Sequence, residues 1–190
     1  MCAVALTAVT ACNNGSIDTA GTGGSTQGTG GSTAAGGNVV EGTPGGAPFD
    51  ATDATSFQVG AQASQFNGPS TGLVITAYPG ACAAATAGNK ALGAFIAISL
   101  ASLDAGGAAS PASLDGTYTV VTAAPAHAGL VAQVGWLDGE AMSSAGTSGS
   151  VTVTKIGQGG IEGTFDVVFD DGGKVTGSFD AASCPGFSPQ

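Results

Sequence analysis

Ile161-Glu162-Gly163-Thr164-Phe165-Asp166-Val167-Val168-Phe169, Asp170-Asp171-Gly172-Gly173 and Lys174-Val175-Thr176-Gly177-Ser178-Phe179-Asp180-Ala181-Ala182-Ser183-Cys184 form the stretch that decides the fold. Ile161, Phe165, Val167 and Phe169 recur at every second position, with Gly163 in phase and Glu162, Thr164, Asp166 and Asp170 between them. That is the period of a strand with one face in a core and the other in water. Val175, Gly177, Phe179 and Ala181 repeat it against Thr176, Ser178 and Asp180. Two matched strands about Asp-Asp-Gly-Gly predict a hairpin. Upstream, Gly149-Ser150-Val151-Thr152-Val153-Thr154 puts Val151 and Val153 in phase and adds a further strand.

Working back along the chain, Leu130, Ala132, Val134 and Trp136 share one side of a strand, and Tyr118 and Val120 share one side of another that opens at Asp115-Gly116. Leu92–Leu100 is apolar on both faces and predicts a central strand, with a short helix as the alternative. Leu73–Tyr78 is a β run bounded by Gly72 and Pro79-Gly80, and Thr55–Phe66 reads as a bent strand or strand pair. Residues 82–90, 104–113 and 138–148 read as loops. The expected class is all-β: a single antiparallel β-sandwich or partly closed barrel of about eight strands. The predicted domain spans residues 48–187.

Composition narrows the functions open to such a domain. The 190 residues carry a formal charge of −10, with Lys90, Lys155 and Lys174 as the strong cations and no Arg. Such a chain cannot displace counterions from nucleic-acid phosphates, and an anionic membrane face repels it. Membrane contact then requires a hydrophobic or covalent anchor.

The N-terminus supplies a candidate. Met1–Ala11 is apolar or small, and Cys12 follows it. Val9-Thr10-Ala11-Cys12 resembles the lipobox of bacterial lipoproteins, an aliphatic residue and two small ones before Cys. The resemblance implies that residues 1–11 are the remnant of a signal peptide and that Cys12 is acylated, palmitate included, as the first mature residue. No Lys or Arg precedes the apolar stretch, so the true start is expected upstream. Asn13 stands where an inner-membrane retention signal has Asp, which implies the outer membrane. Residues 12–47 then form a lipidated, disordered tether in which Gly-Thr-Gly-Gly-Ser-Thr at 21–26 recurs at 28–33. A coil of that length spans roughly 30–35 Å.

Further in, Gly116-Thr117-Tyr118, Gly149–Thr154, Gly163-Thr164-Phe165, Gly177-Ser178-Phe179 and the closing Cys184 resemble a group of Gram-negative bacterial lipoproteins with a C-terminal β-sandwich domain. These motifs place Gly at turns and bulges. The group brings no activity to carry over.

With Cys2 in the signal remnant and Cys12 lipidated, Cys82 and Cys184 remain as an even pair in an exported domain. A disulfide between them is expected. Two Cys and one distant His lack metal-ligand spacing, and no cofactor motif is present.

His127 is the single His and lies in a Pro-Ala-His-Ala-Gly loop without a Gly-x-Ser-x-Gly elbow. Asp138 with Glu140, and Asp170 with Asp171, are paired carboxylates of the kind used in glycoside hydrolysis or Ca²⁺ binding. The second pair is already explained by a turn. Tyr78, Tyr118 and Trp136 offer aromatic surface for a sugar, but their strand positions favour packing. The expected function is an outer-membrane-anchored, non-catalytic binding or structural module whose partner is an envelope protein or glycan. The alternative is a small hydrolase using His127 or a carboxylate pair.

Overall fold

A computed structural model describes residues 37–46, 48–87, 93–113, 115–125, 127–138 and 141–187. Cys12, the segment read as a signal remnant and the run read as a tether, up to residue 36, lie outside the described residues. In chain order the elements are β1 (Val39–Gly42), a 3-10 turn (Pro44–Gly46), β2 (Asp53–Val59), β3 (Ser70–Thr76), α1 (Ala81–Thr86) and β4 (Phe95–Leu103). They continue with β5 (Ala109–Pro111), β6 (Gly116–Val120), β7 (Gly129–Asp138), β8 (Ala141–Gly157), β9 (Gly160–Phe169) and β10 (Lys174–Ser183).

The hairpin at the C-terminal end forms as its alternation dictates. β9 and β10 are antiparallel, with Ile161 opposite Ala181, Phe165 opposite Gly177 and Gly163 opposite Phe179. Each phenyl ring therefore lies across a glycine of the facing strand. A Cβ on Gly177 would stand 2.6 Å from Phe165 Cζ and 2.3 Å from the Val39 carbonyl oxygen. On Gly163 it would stand 2.7 Å from Phe179 Cζ and 2.3 Å from the Thr152 carbonyl oxygen. The missing side chains let both rings lie close to the sheet, stacked with centroids 6.5 Å apart. At the turn Asp171 accepts a hydrogen bond from Gly173 N at 2.7 Å, and Gly172 adopts φ 83°.

From the hairpin the pairings run in a ring. β10 meets β2, β2 pairs β3, β3 pairs β4, β4 pairs β7, β7 pairs β8, and β8 pairs β9. β6 is wedged where β7 and β8 diverge, parallel to β7 through Thr119 and Val120 and antiparallel to β8 from Gly116 to Thr119. The expected all-β class is thus a single sheet closed into a ring of about eight strands, mostly antiparallel. Two short parallel contacts, β6 with β7 and β2 with β10, complete it.

The ring interior is side chain. Leu73, Ile75, Ile96, Ile98, Leu100, Tyr118, Val151, Val167 and Phe169 are fully buried there. At the end where β3 stops and β4 starts, Phe49 packs edge-on against Trp136 with centroids 5.1 Å apart. A smaller cluster on the outer face joins Phe66, Ala101, Leu103, Ala109 and Val131. It explains why the β4 sequence is apolar on both faces.

Several expectations need correction. The sheet takes in Val39–Gly42, ahead of the boundary read at Pro48, because Glu41 and its neighbours pair with Val175–Ser178 of β10. The 104–113 stretch contains β5, which pairs with the end of β4. Much of the 138–148 stretch, read as a loop, is the first part of β8, where Ala141–Ala145 pair with β7. Register shifts at Gly146/Ser148 and Val153/Lys155 bend this 17-residue strand so that it can serve both β7 and β6. Cys82 lies on the short helix α1 rather than in a loop.

Gly163→Ala and Gly177→Ala are each expected to lower unfolding stability by about 1–3 kcal/mol through overpacking. Gly157→Ala, which among the described residues has nothing within 4 Å of the added methyl, should shift it by less than about 0.5 kcal/mol. Urea unfolding of the three variants checks the contrast; equal effects would contradict the ring-over-glycine packing.

Candidate functional site

The ring is weakest at one seam. β2 and β10 share only a two-residue parallel register, Thr55 with Ala182 and Ser56 with Ser183. Small hydroxyl side chains reinforce it. Thr55 Oγ1 donates to the Ala182 carbonyl at 3.1 Å, and Ser56 Oγ donates to the Ala181 carbonyl at 3.2 Å. Just past the strand, Cys184 N donates to the Ser56 carbonyl at 2.8 Å.

The disulfide clasps this seam. Cys82 and Cys184 are bonded, with Cα atoms 5.5 Å apart and a sequence separation of 102. Cys82 reaches the seam because α1 is fixed there by β2. Asp53 Oδ2 accepts from Gly80 N at 2.9 Å and from Ala81 N at 3.0 Å, satisfying N–H groups at the helix start. Gly80 takes φ 77° to turn the chain into the helix. The expected pairing of Cys82 with Cys184 is therefore present, and Asp53 is a supporting residue that the sequence reading missed.

Beside the clasp is a crevice of about 580 Å³ at the end of the ring opposite Trp136. Its walls include Ser56, Gln58 and Thr71, where Gln58 faces Thr71 across the β2–β3 ladder. Gln158, from the turn between β8 and β9, stands on another side. Phe57 and Phe187 also line it, packed edge-to-face with centroids 4.8 Å apart. Thr71 is buried, and its Oγ1 has no hydrogen-bond partner among the described residues.

The residues singled out from sequence do not gather here. His127 is exposed in the β6–β7 connection, its Nδ1 3.2 Å from the Ala128 carbonyl. Asp138 ends β7, and Glu140 lies outside the described residues. Asp170 begins the turn after β9, where it accepts from Ser144 Oγ at 2.5 Å and from Ala145 N at 3.1 Å. First the Ser144 hydroxyl, then the Ala145 N–H, hold its carboxyl below the ordinary carboxylate range. Asp171 caps Gly173. Both carboxylates therefore serve the β8–β9–β10 turn. Tyr118 and Trp136 are in the core, while Tyr78 is half-buried, with burial and then Asp53 raising its phenol pKa. Among the described residues no cluster of three or more His, Cys, Asp and Glu could hold a metal ion. Lys155 pairs with Glu162, and Lys174 pairs with Asp166 at 3.0 Å.

Two outcomes follow from these contacts. Replacing both Cys82 and Cys184 with Ser should cost about 2–5 kcal/mol of stability, read by thermal or urea unfolding; an unchanged midpoint would mean that the clasp contributes nothing. Ser144→Ala should raise the Asp170 pKa toward the usual carboxylate value, measured by carboxyl-carbon NMR titration. The sign follows from the lowered folded value. The stabilisation is present above the unfolded pKa and is lost as pH falls through the folded one.

Comparison with known proteins adds no relative: no family model, no curated protein and no solved structure matches this chain.

Proposed function

We propose that this chain is an exported lipoprotein of the bacterial cell envelope, held at the outer membrane by acyl chains on Cys12, whose ring domain is a non-catalytic binding or structural module. The observation that carries this reading is the Cys82–Cys184 disulfide. Such bonds persist in oxidising compartments and are rare in reducing ones. A lipobox-like Val9-Thr10-Ala11-Cys12 ahead of a Gly-rich run supports the anchor. The described chain enters the fold at β1, an end strand of the sheet paired with β10, which suits a tether arriving at the sheet edge.

Support for a non-catalytic role comes from the candidate groups themselves. His127 is exposed in a loop, and Asp170 and Asp171 are engaged in holding a turn. No helix among the described residues is long and apolar enough to cross a membrane, so anchoring rests on lipid in this reading. A single acyl chain binds membranes only marginally, and stable attachment needs more than one.

The expected outcome is that Cys12→Ala, expressed with the natural leader, moves the protein from the membrane pellet to the soluble envelope fraction and abolishes incorporation of labelled palmitate. A variant that stays in the pellet, or keeps the label, overturns the anchor.

A further inference from the structure

The crevice beside the disulfide mixes hydroxyl and amide groups with apolar ones, and among the described residues no charged side chain lines it, in a chain whose formal charge is −10. That combination restricts the ligand chemistry. A phosphate or carboxylate would find no cation to pair with, and a cation would find no carboxylate. A purely apolar ligand would bury hydroxyls and amides without partners. A neutral molecule bearing several hydroxyls fits both constraints.

Gln58 and Gln158 each offer an amide that donates and accepts. Ser56 Oγ spends its one proton on the Ala181 carbonyl, which leaves lone pairs free to accept. Phe57 and Phe187 supply the apolar surface that the C–H face of a pyranose packs against. The volume, about 580 Å³, lies within the range of small-ligand sites.

Thr71 provides an independent observation. It faces the core side of β3, in phase with Leu73 and Ile75. Its Oγ1 is nevertheless a hydroxyl, buried at the crevice wall and without a partner among the described residues. A buried polar atom without a partner is destabilising unless a water or ligand supplies one.

We infer that the crevice bounded by Ser56, Gln58, Thr71, Gln158, Phe57 and Phe187 binds a neutral saccharide. The inference rests on reading the domain as a binding module and gives that module its ligand class. Hydroxyls and amides at the wall orient the sugar, and the phenyl pair covers one face of it.

The test uses the full chain with maltose, chitobiose and sucrose as probes. Saturation-transfer difference NMR should show transfer to at least one of them. Thr71→Val should weaken binding by about tenfold, the loss of one well-placed hydrogen bond. The same change should leave the melting temperature unchanged or raise it, since it removes an orphan hydroxyl. Phe187→Ala should weaken binding independently, and His127→Ala should leave it unaltered. No transfer to any of the three sugars overturns the inference, as does transfer that persists undiminished in both Thr71→Val and Phe187→Ala. Anchoring through Cys12 is read separately by fractionation, so failure of the saccharide site leaves the envelope assignment standing, and the reverse.

Discussion

The parallel contact between β2 and β10 is the constraint on which this fold depends. The other junctions in the ring join consecutive strands, apart from the long β4–β7 ladder and the wedged β6. Here the first strand of the ring must meet the last across a separation of 127 residues, with only two paired positions to hold it. Such a short parallel register contributes little by itself. The structure adds hydroxyl bonds from Thr55 and Ser56, the Cys184 amide bond and the Cys82 bridge at the same place. Asp53 sits upstream on the same strand and fixes the helix that carries Cys82. A core that relies on Val, Ala and Gly at many positions gains from a covalent closure there, because the chain-entropy term grows with loop length.

What could be read in advance depended on whether side chains were free to display their period. β9 and β10 were legible because one face packs Phe165, Val167 and Phe179 while the other meets water at Asp166 and Asp180. The first part of β8 was not, and the reason is crowding. A Cβ on Gly146 would come within 3.0 to 3.3 Å of Val167, Val134 and Val120, where three strands converge. Close approach selects small residues, and a run of Ser, Ala and Gly looks like a loop from sequence. β1 was hidden for a related reason: with Val39 half-exposed, its order comes from β10 rather than from its own composition. α1 is a single short turn of Ala-rich chain, set by Asp53 from a distance.

The candidate site follows the same logic. The expectation of an oxidising compartment, with parity, pointed to Cys82 and Cys184 as partners without any geometry. The crevice required the register. Ser56 and Thr71 are individually ordinary strand residues, and only the β2–β3 pairing puts Ser56, Gln58 and Thr71 at one end of the ring. A sequence signal does exist, since Ser56 and Gln58 continue the inward phase of Ala54 while Thr71 continues that of Leu73 and Ile75. Polar residues at core phase toward the same end of two paired strands mark a wet end of a core. The aromatic residues with the right chemistry for stacking, Tyr118 and Trp136, were taken by the interior instead. That left Phe57 and Phe187, one of them past the last strand, to edge the opening.

The seam also has a consequence for how the chain reaches this state. Synthesis delivers β1 and β2 first and β10 last, and Asn38 waits for a partner 142 residues downstream, the amide of Asp180. Until then β2 presents an open edge, and β3, β4 and β7 can form only an unclosed sheet. Non-local pairing of this kind slows folding, because loop closure precedes any gain from contact. A nascent chain is therefore kept from completing its own structure until its final strand is released. A chain cut short of β10 would keep exposed strand edges that invite association with its neighbours.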